Sequence, residues 1–167
     1  MNPDLLHPGV RHRLEQIGVE FEVMECNPAF ADTAAFVEAY GVPLDRSANT
    51  IVVASKGAEP SYVACVALAT TSLDVNRAVR REMGVRKASF AGADPVRTLT
   101  GMEIGGVTPF GLPEGMPILV DARVMDAPWI VLGGGNRSSK LKVAPDALRR
   151  LPALRVVDGL ATLKRDA

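Results

Sequence analysis

Apolar and polar positions along the chain change period several times, and each change marks an element. After Pro8, the residues Val10, Leu14 and Ile17 fall at helical spacing and Gly18 supplies a stop, which predicts an amphipathic helix. Residues 20–24 alternate polar and apolar and predict a half-buried strand. Asp32 stands where a helix N-cap belongs, and residues 33–40 read as a second helix closed by Gly41. Residues 50–54 and 62–68 are β-branched or apolar runs on either side of a turn at 56–60, the pattern of an antiparallel hairpin with Asn49 at the start of its first strand. A capped helix is expected from about Leu73 to Met83, with Val75, Ala78, Val79 and Met83 inward and Arg77, Arg80 and Arg81 on its outer face.

The second half reads less regularly. A short strand at 87–90 precedes Asp94-Pro95, taken as the cap and first position of a brief helix ending at Gly101. Residues 118–121 and 129–132 predict two strands joined by a short loop, 141–143 a further strand, 145–151 a helix, and 154–157 a last edge strand before a polar tail. Hairpins and crossovers both occur in this order, so the expected class is α/β with a mixed, curved sheet flanked by helices. A chain of 167 residues, 47% of them apolar, suits a single domain over 1–167.

Charge narrows the function classes. The 19 basic residues balance 19 acidic ones, which excludes a protein whose whole surface attracts polyanions and leaves only local patches. Cys26 and Cys65 lie far apart without a CxxC, indicating neither a disulfide framework nor a zinc site, and His7 and His12 lack the spacing of a helical metal pair. No metal or cofactor is called for. The absence of a long apolar run and of a secretion signal leads to the expectation of a soluble, cytoplasmic protein.

The densest run of special-backbone residues spans 100–113. Gly105 and Gly106 permit close approach to their backbone, and Pro109 holds Thr108 extended, so the N–H groups of Gly106, Val107 and Thr108 are candidates for a nest that takes a carboxylate, a phosphate or a developing oxyanion. The same residues also suit a tight turn between two strands. A second Gly-rich run, 133–140, lacks the Gly-Lys-Ser/Thr ending of a nucleotide-binding P-loop. Gly134, Gly135, Asn136 and Arg137 offer either a second anion-friendly loop or a solvated connection. Arg77, Arg80, Arg81, Arg86 and Lys87 form either a phosphate-binding patch or a solvated face. No Gly-x-Ser-x-Gly elbow occurs, and Cys26 has no neighbouring His in sequence.

Taken in order, the run from Thr50, the segment Ala93-Asp-Pro95…Leu99-Thr-Gly101, the loop Gly105-Gly-Val-Thr-Pro-Phe-Gly111, Ile118-Leu-Val-Asp121 and Gly133-Gly-Gly-Asn-Arg137 resemble the YbaK-type family. That family includes the prolyl-tRNA synthetase editing domain and its free-standing relatives. The resemblance covers about Asp32 to Leu151. It implies a barrel-like curved sheet and a trans-editing hydrolase that cleaves the ester joining a wrong amino acid to the 3′ end of tRNA. Gly105 to Pro109 match the family's Gly-x-x-x-Pro loop, which holds the terminal adenosine and the ester. The resemblance thus points to Gly105, Gly106, Val107, Thr108, Pro109 and Asn49 for catalysis and to Thr50, Phe110, Gly134, Gly135, Asn136 and Arg137 for substrate. The basic cluster is the expected tRNA contact. Many members carry Lys at the position aligned with Asn49; Asn keeps the hydrogen bonding but not the charge. The implied partner is the 3′ acceptor end of aminoacyl-tRNA, with an aminoacyl-tRNA synthetase as a candidate second partner and a monomer or homodimer as the oligomeric form. A catalytically silent tRNA- or nucleotide-binding module and a small-molecule binding protein are alternatives for the same pocket.

Overall fold

The computed structural model describes residues 2–165. Its elements, in chain order, are α1 (Pro8–Ile17), β1 (Glu22–Glu25), α2 (Thr33–Tyr40), β2 (Ala48–Ser55), β3 (Tyr62–Leu68) and β4 (Thr71–Leu73). A π-helical turn at Val75–Val79 runs into α3 (Arg80–Met83), followed by β5 (Ala88–Phe90), α4 (Ala93–Thr100), β6 (Ile118–Asp121) and α5 (Ala122–Met125). The chain continues with β7 (Ile130–Gly133), β8 (Ser139–Val143), a 3-10 turn at Pro145–Arg150, β9 (Leu154–Val157) and β10 (Ala161–Leu163).

Five strands form the central sheet in the order β5-β2-β3-β6-β9. The β2–β3 hairpin and the β2–β5 pair are antiparallel, whereas β3–β6 and β6–β9 are parallel. Alternation along these strands serves two cores, because successive side chains point to opposite faces. Val52, Ala64, Val66, Ile118 and Val120 join Val10, Leu14, Leu132 and Leu141 in the larger one. Val53, Val63, Cys65 and Leu119 meet Ala78, Val79 and Leu160 in the other. A second, antiparallel sheet, β1-β8-β7, lies across the larger core, and a bridge from Ser47 to Val131 links it to the entrance of β2. Its outer face is covered by α2, where Phe36 packs with Cys26, Ala31, Val42 and Val131.

The mixed α/β class holds, but the barrel-like closure does not. The central sheet ends at β5 on one side and β9 on the other, and the three-stranded sheet stacks on it as a separate layer. Other expectations shift locally. Thr71 to Leu73 pair with β10, so the helix expected from Leu73 begins only after Asp74, whose carboxylate accepts the Arg77 N–H at 3.2 Å. The α4 N-cap is Gly92 rather than Asp94, and α5 occupies the loop expected after β6. β10 lies in the segment read as a polar tail. It is tied in by Asp121, a fully buried carboxylate that accepts the backbone N–H groups of Arg123 and Ala161 at 3.3 and 3.1 Å.

Candidate active site

The start of α2, the first half of β2, the loop after α4 and the facing ends of β7 and β8 enclose a cleft of about 310 Å³. Asp32, Thr33, Phe36, Asn49, Thr50, Gly105, Val107 and Lys140 are among its lining residues. Each comes from an element placed by the core: β2 by its two sheet neighbours, α2 by Phe36, and β8 by Leu141 and Val143.

The Gly105–Pro109 loop contributes Gly105 and Val107 to one wall. Gly105 adopts φ +88°, open to a residue without Cβ, and a Cβ there would overlap the Arg137 guanidinium. Gly106 is required for a different reason. Its N–H donates to the Glu103 carbonyl at 2.9 Å, its own carbonyl accepts the Gly135 N–H at 2.7 Å, and a Cβ would overlap the Asn136 backbone. The Gly106 N–H is thus engaged, while the N–H groups of Val107 and Thr108 have no acceptor among the described residues. Gly105 and Val107 line the cleft; Gly106, Thr108, Pro109 and Phe110 are buried and outside its lining. The Thr108 hydroxyl has no hydrogen-bond partner among the described residues.

The second Gly-rich loop braces the first. Gly134 accepts the His7 N–H at 3.0 Å, and Gly135 accepts the Glu103 N–H at 3.2 Å. Asn136 donates to the Leu5 carbonyl at 2.9 Å and accepts the Ser138 N–H and the Ser139 hydroxyl at 3.1 and 2.8 Å, so its amide is occupied internally. Arg137 fastens three segments: its guanidinium reaches Asp32 at 3.2 Å and the carbonyls of Ile104 and Pro28, both at 2.9 Å. Gly134, Gly135, Asn136 and Arg137 do not line the cleft. Asp32 occupies the N-cap position of α2 without a side-chain cap bond, its carboxylate being turned to Arg137.

Asn49 lines the cleft from β2. The Thr33 hydroxyl donates to its Oδ1, and its Nδ2 has no partner among the described residues. Thr50 also lines the cleft, its hydroxyl buried and without a partner among the described residues. The basic cluster sits elsewhere: Arg77, Arg80, Arg81, Arg86 and Lys87 are exposed, on a segment packed through Ala78 and Val79 against the face of the central sheet that serves the smaller core.

Lys140 is the cleft residue that the sequence reading missed. It is only 7% exposed, and its ammonium donates to the carbonyls of Ala31 at 2.6 Å and Gly105 at 3.1 Å, with the Phe36 ring centroid 5.2 Å away. Burial pushes its pKa down and the Arg137 charge adds to this, while Cys26 and Asp32 act in the opposite sense. Burial pushes the Cys26 thiol up in turn, opposed by Lys140 and Arg137. The available signal was the alternation Lys140-Leu141-Lys142-Val143, which puts both lysines on the face that α2 must cover. Among the described residues no three His, Cys, Asp or Glu side chains converge as a metal site would require, and no helix is long and apolar enough to cross a membrane.

Residues 27–151, three quarters of the chain and all of the cleft lining, match the family model of the aminoacyl-tRNA editing domain. The chain belongs to the aminoacyl-tRNA editing domain family. Its similarity to the uncharacterized protein YwhH of Bacillus subtilis (strain 168) is 29% identity over 139 residues, covering 83% of this chain and 86% of YwhH. Among solved structures, a candidate trans-editing enzyme for prolyl tRNA synthetase superposes with a TM-score of 0.77 at 24% identity, over 92% of this chain and 97% of the other. The hypothetical protein APE2540 gives 0.80 at 22% identity, over 92% and 99%. At these identities the two structures share the editing-domain fold with this chain.

Proposed function

We propose that this editing domain is a free-standing hydrolase that acts in trans, in the cytoplasm, on the ester between a mischarged amino acid and the 3′-terminal ribose of tRNA. The observation that carries the reading is the facing of two sets of donors across one cleft. On one side of the cleft Val107 presents an N–H group without an acceptor among the described residues; on the other stands the Asn49 amide, held by Thr33. Donors so fixed stabilise charge at a carbonyl without reorganising during the reaction.

The lining contains no Cys or His, so the nucleophile assigned is water or the neighbouring ribose hydroxyl, oriented against the ester by these donors. Asn49 orients the ester or a ribose oxygen, and Thr33 fixes the rotamer of Asn49. The exposed arginines at 77, 80 and 81 supply a salt-sensitive contact to the tRNA backbone. The test is time-dependent release of amino acid from a panel of charged tRNAs, with uncharged tRNA as competitor. Catalytic release from at least one mischarged species supports the hydrolase. Binding without release favours a silent tRNA-binding module, and indifference to uncharged tRNA favours a small-molecule binder.

A further inference from the structure

Lys140 brings a positive charge into the cleft without a carboxylate at ion-pair distance among the described residues. An ammonium carries three hydrogens, and the carbonyls of Ala31 and Gly105, at 2.6 and 3.1 Å, account for two. The third has no acceptor among the described residues. The Phe36 ring covers a further side at 5.2 Å, a distance at which a cation is attracted to an aromatic face. The result is a desolvated, oriented cation with one donor unspent, in a residue that lines the cleft. One donor matches one oxygen atom, whereas a phosphate group presents several oxygens and is held by several donors.

Building on the deacylase reading, we propose that Lys140 donates its remaining hydrogen to the carbonyl oxygen of the scissile ester and holds the negative charge that develops there. Water oxygen attacks the carbonyl carbon, and the C=O π pair moves onto the oxygen facing Lys140. As that pair returns, the bond from carbon to the ribose oxygen breaks. The ribose oxygen takes one proton from the attacking water, the second is lost to solvent, and the amino acid leaves as its carboxylate. The family's cation on the central strand, replaced here by Asn49, is in this chain supplied from the facing sheet.

The charged and titratable groups around the ammonium are Cys26 after β1, Asp32 at the start of α2 and Arg137 in the loop before β8. Activity requires the protonated lysine, so it falls as pH rises through a pKa that burial has lowered.

Single-turnover deacylation of the tRNA panel is measured for wild type, Lys140→Met and Lys140→Arg across pH, with spontaneous ester hydrolysis subtracted and melting curves recorded. The expected result is a saturating rate about 100- to 1000-fold lower for Lys140→Met, with half-saturation changed less than about threefold. Lys140→Arg stays above Lys140→Met and loses the alkaline fall seen in wild type, since a guanidinium does not deprotonate. If wild type is active and Lys140→Met matches it within about threefold, or differs only in half-saturation, the role of Lys140 is overturned while the hydrolase stands. If wild type releases no amino acid from any tRNA, both readings are overturned. Where Lys140→Met fails to fold, a wild-type rate with no alkaline fall overturns the role of Lys140.

Discussion

The Asp32 carboxylate and the Arg137 guanidinium meet at 3.2 Å, joining positions 105 residues apart at the mouth of the cleft. The pair is half open to water, so its own contribution is small. The same guanidinium also holds the Ile104 and Pro28 carbonyls. Arg137→Ala is expected to cost about 1–2 kcal/mol, lowering Tm by roughly 2–8 °C, and to slow deacylation by loosening Gly105. Thermal melts and single-turnover rates check this; an unchanged Tm means that the three segments hold without Arg137.

Gly106→Ala forces a methyl group into the Asn136 backbone, which has no flexible end to move aside. A loss of about 2–4 kcal/mol is expected, with turnover lost as the two loops separate. Gly115→Ala is the control, because it has φ +81° and open space around the added carbon, leaving a backbone penalty of about 1–2 kcal/mol. Denaturant midpoints that are equal for the two variants contradict the backbone-on-backbone contact.

Thr108 is fully buried, and its hydroxyl has no partner among the described residues. Thr108→Val replaces that hydroxyl with a methyl of similar size, so stability should rise by about 1 kcal/mol and Tm by roughly 2–4 °C, with turnover retained. A fall in turnover at unchanged or raised Tm places the hydroxyl in contact with substrate instead.

Asn49→Ala removes an amide that faces the cleft and leaves the strand pairing of β2 intact. A 10- to 100-fold loss in single-turnover rate is expected, on the order of 1.4–2.7 kcal/mol of transition-state stabilisation, with little change in Tm. Asn49→Lys places a second cation in the cleft that Lys140 already lines, and should change which aminoacyl-tRNAs are accepted. Identical rates for all three proteins on every tRNA remove Asn49 from the site.

Replacing Arg77, Arg80 and Arg81 together by Ala should weaken tRNA binding and flatten the dependence of log affinity on log salt, by up to about 0.9 for each phosphate that is no longer neutralised. Filter binding at several salt concentrations decides; an unaltered slope makes this face solvated surface.

The central strands β2 and β3 were legible because Val52 and Val53, or Ala64 and Cys65, point into two apolar cores, so both faces are apolar and the strand reads as a short unbroken β-branched or apolar run. Backbone chemistry and resemblance pointed to Gly105, Val107 and Asn49, which the fold brings to one cleft, but not to the burial of Gly106, Thr108 and Pro109 behind it. Lys140 was not legible, because its pattern equals that of Lys142. α2 buries the first, whereas the second stays partly exposed beside Trp129 and Glu22. The bond between Gly106 and Gly135 and the reach of Arg137 to Asp32 were hidden for the same reason: they depend on which loops tertiary packing brings together. The missing barrel closure likewise reflects where strands stop pairing, which alternation within a strand does not encode.

The order β5-β2-β3-β6-β9 also governs how the domain comes into being. Once the chain up to residue 90 is free to fold, both neighbours of β2 are at hand, but β3 still lacks a partner for its other edge, rich in Val and Ala, because that partner begins at Ile118. Such an edge is a template for pairing with another chain, and parallel strand pairs close more slowly than hairpins. That edge stays open until β6 (Ile118–Asp121) is free to pair, so the segment that carries the Gly105 loop must be made before the edge can close.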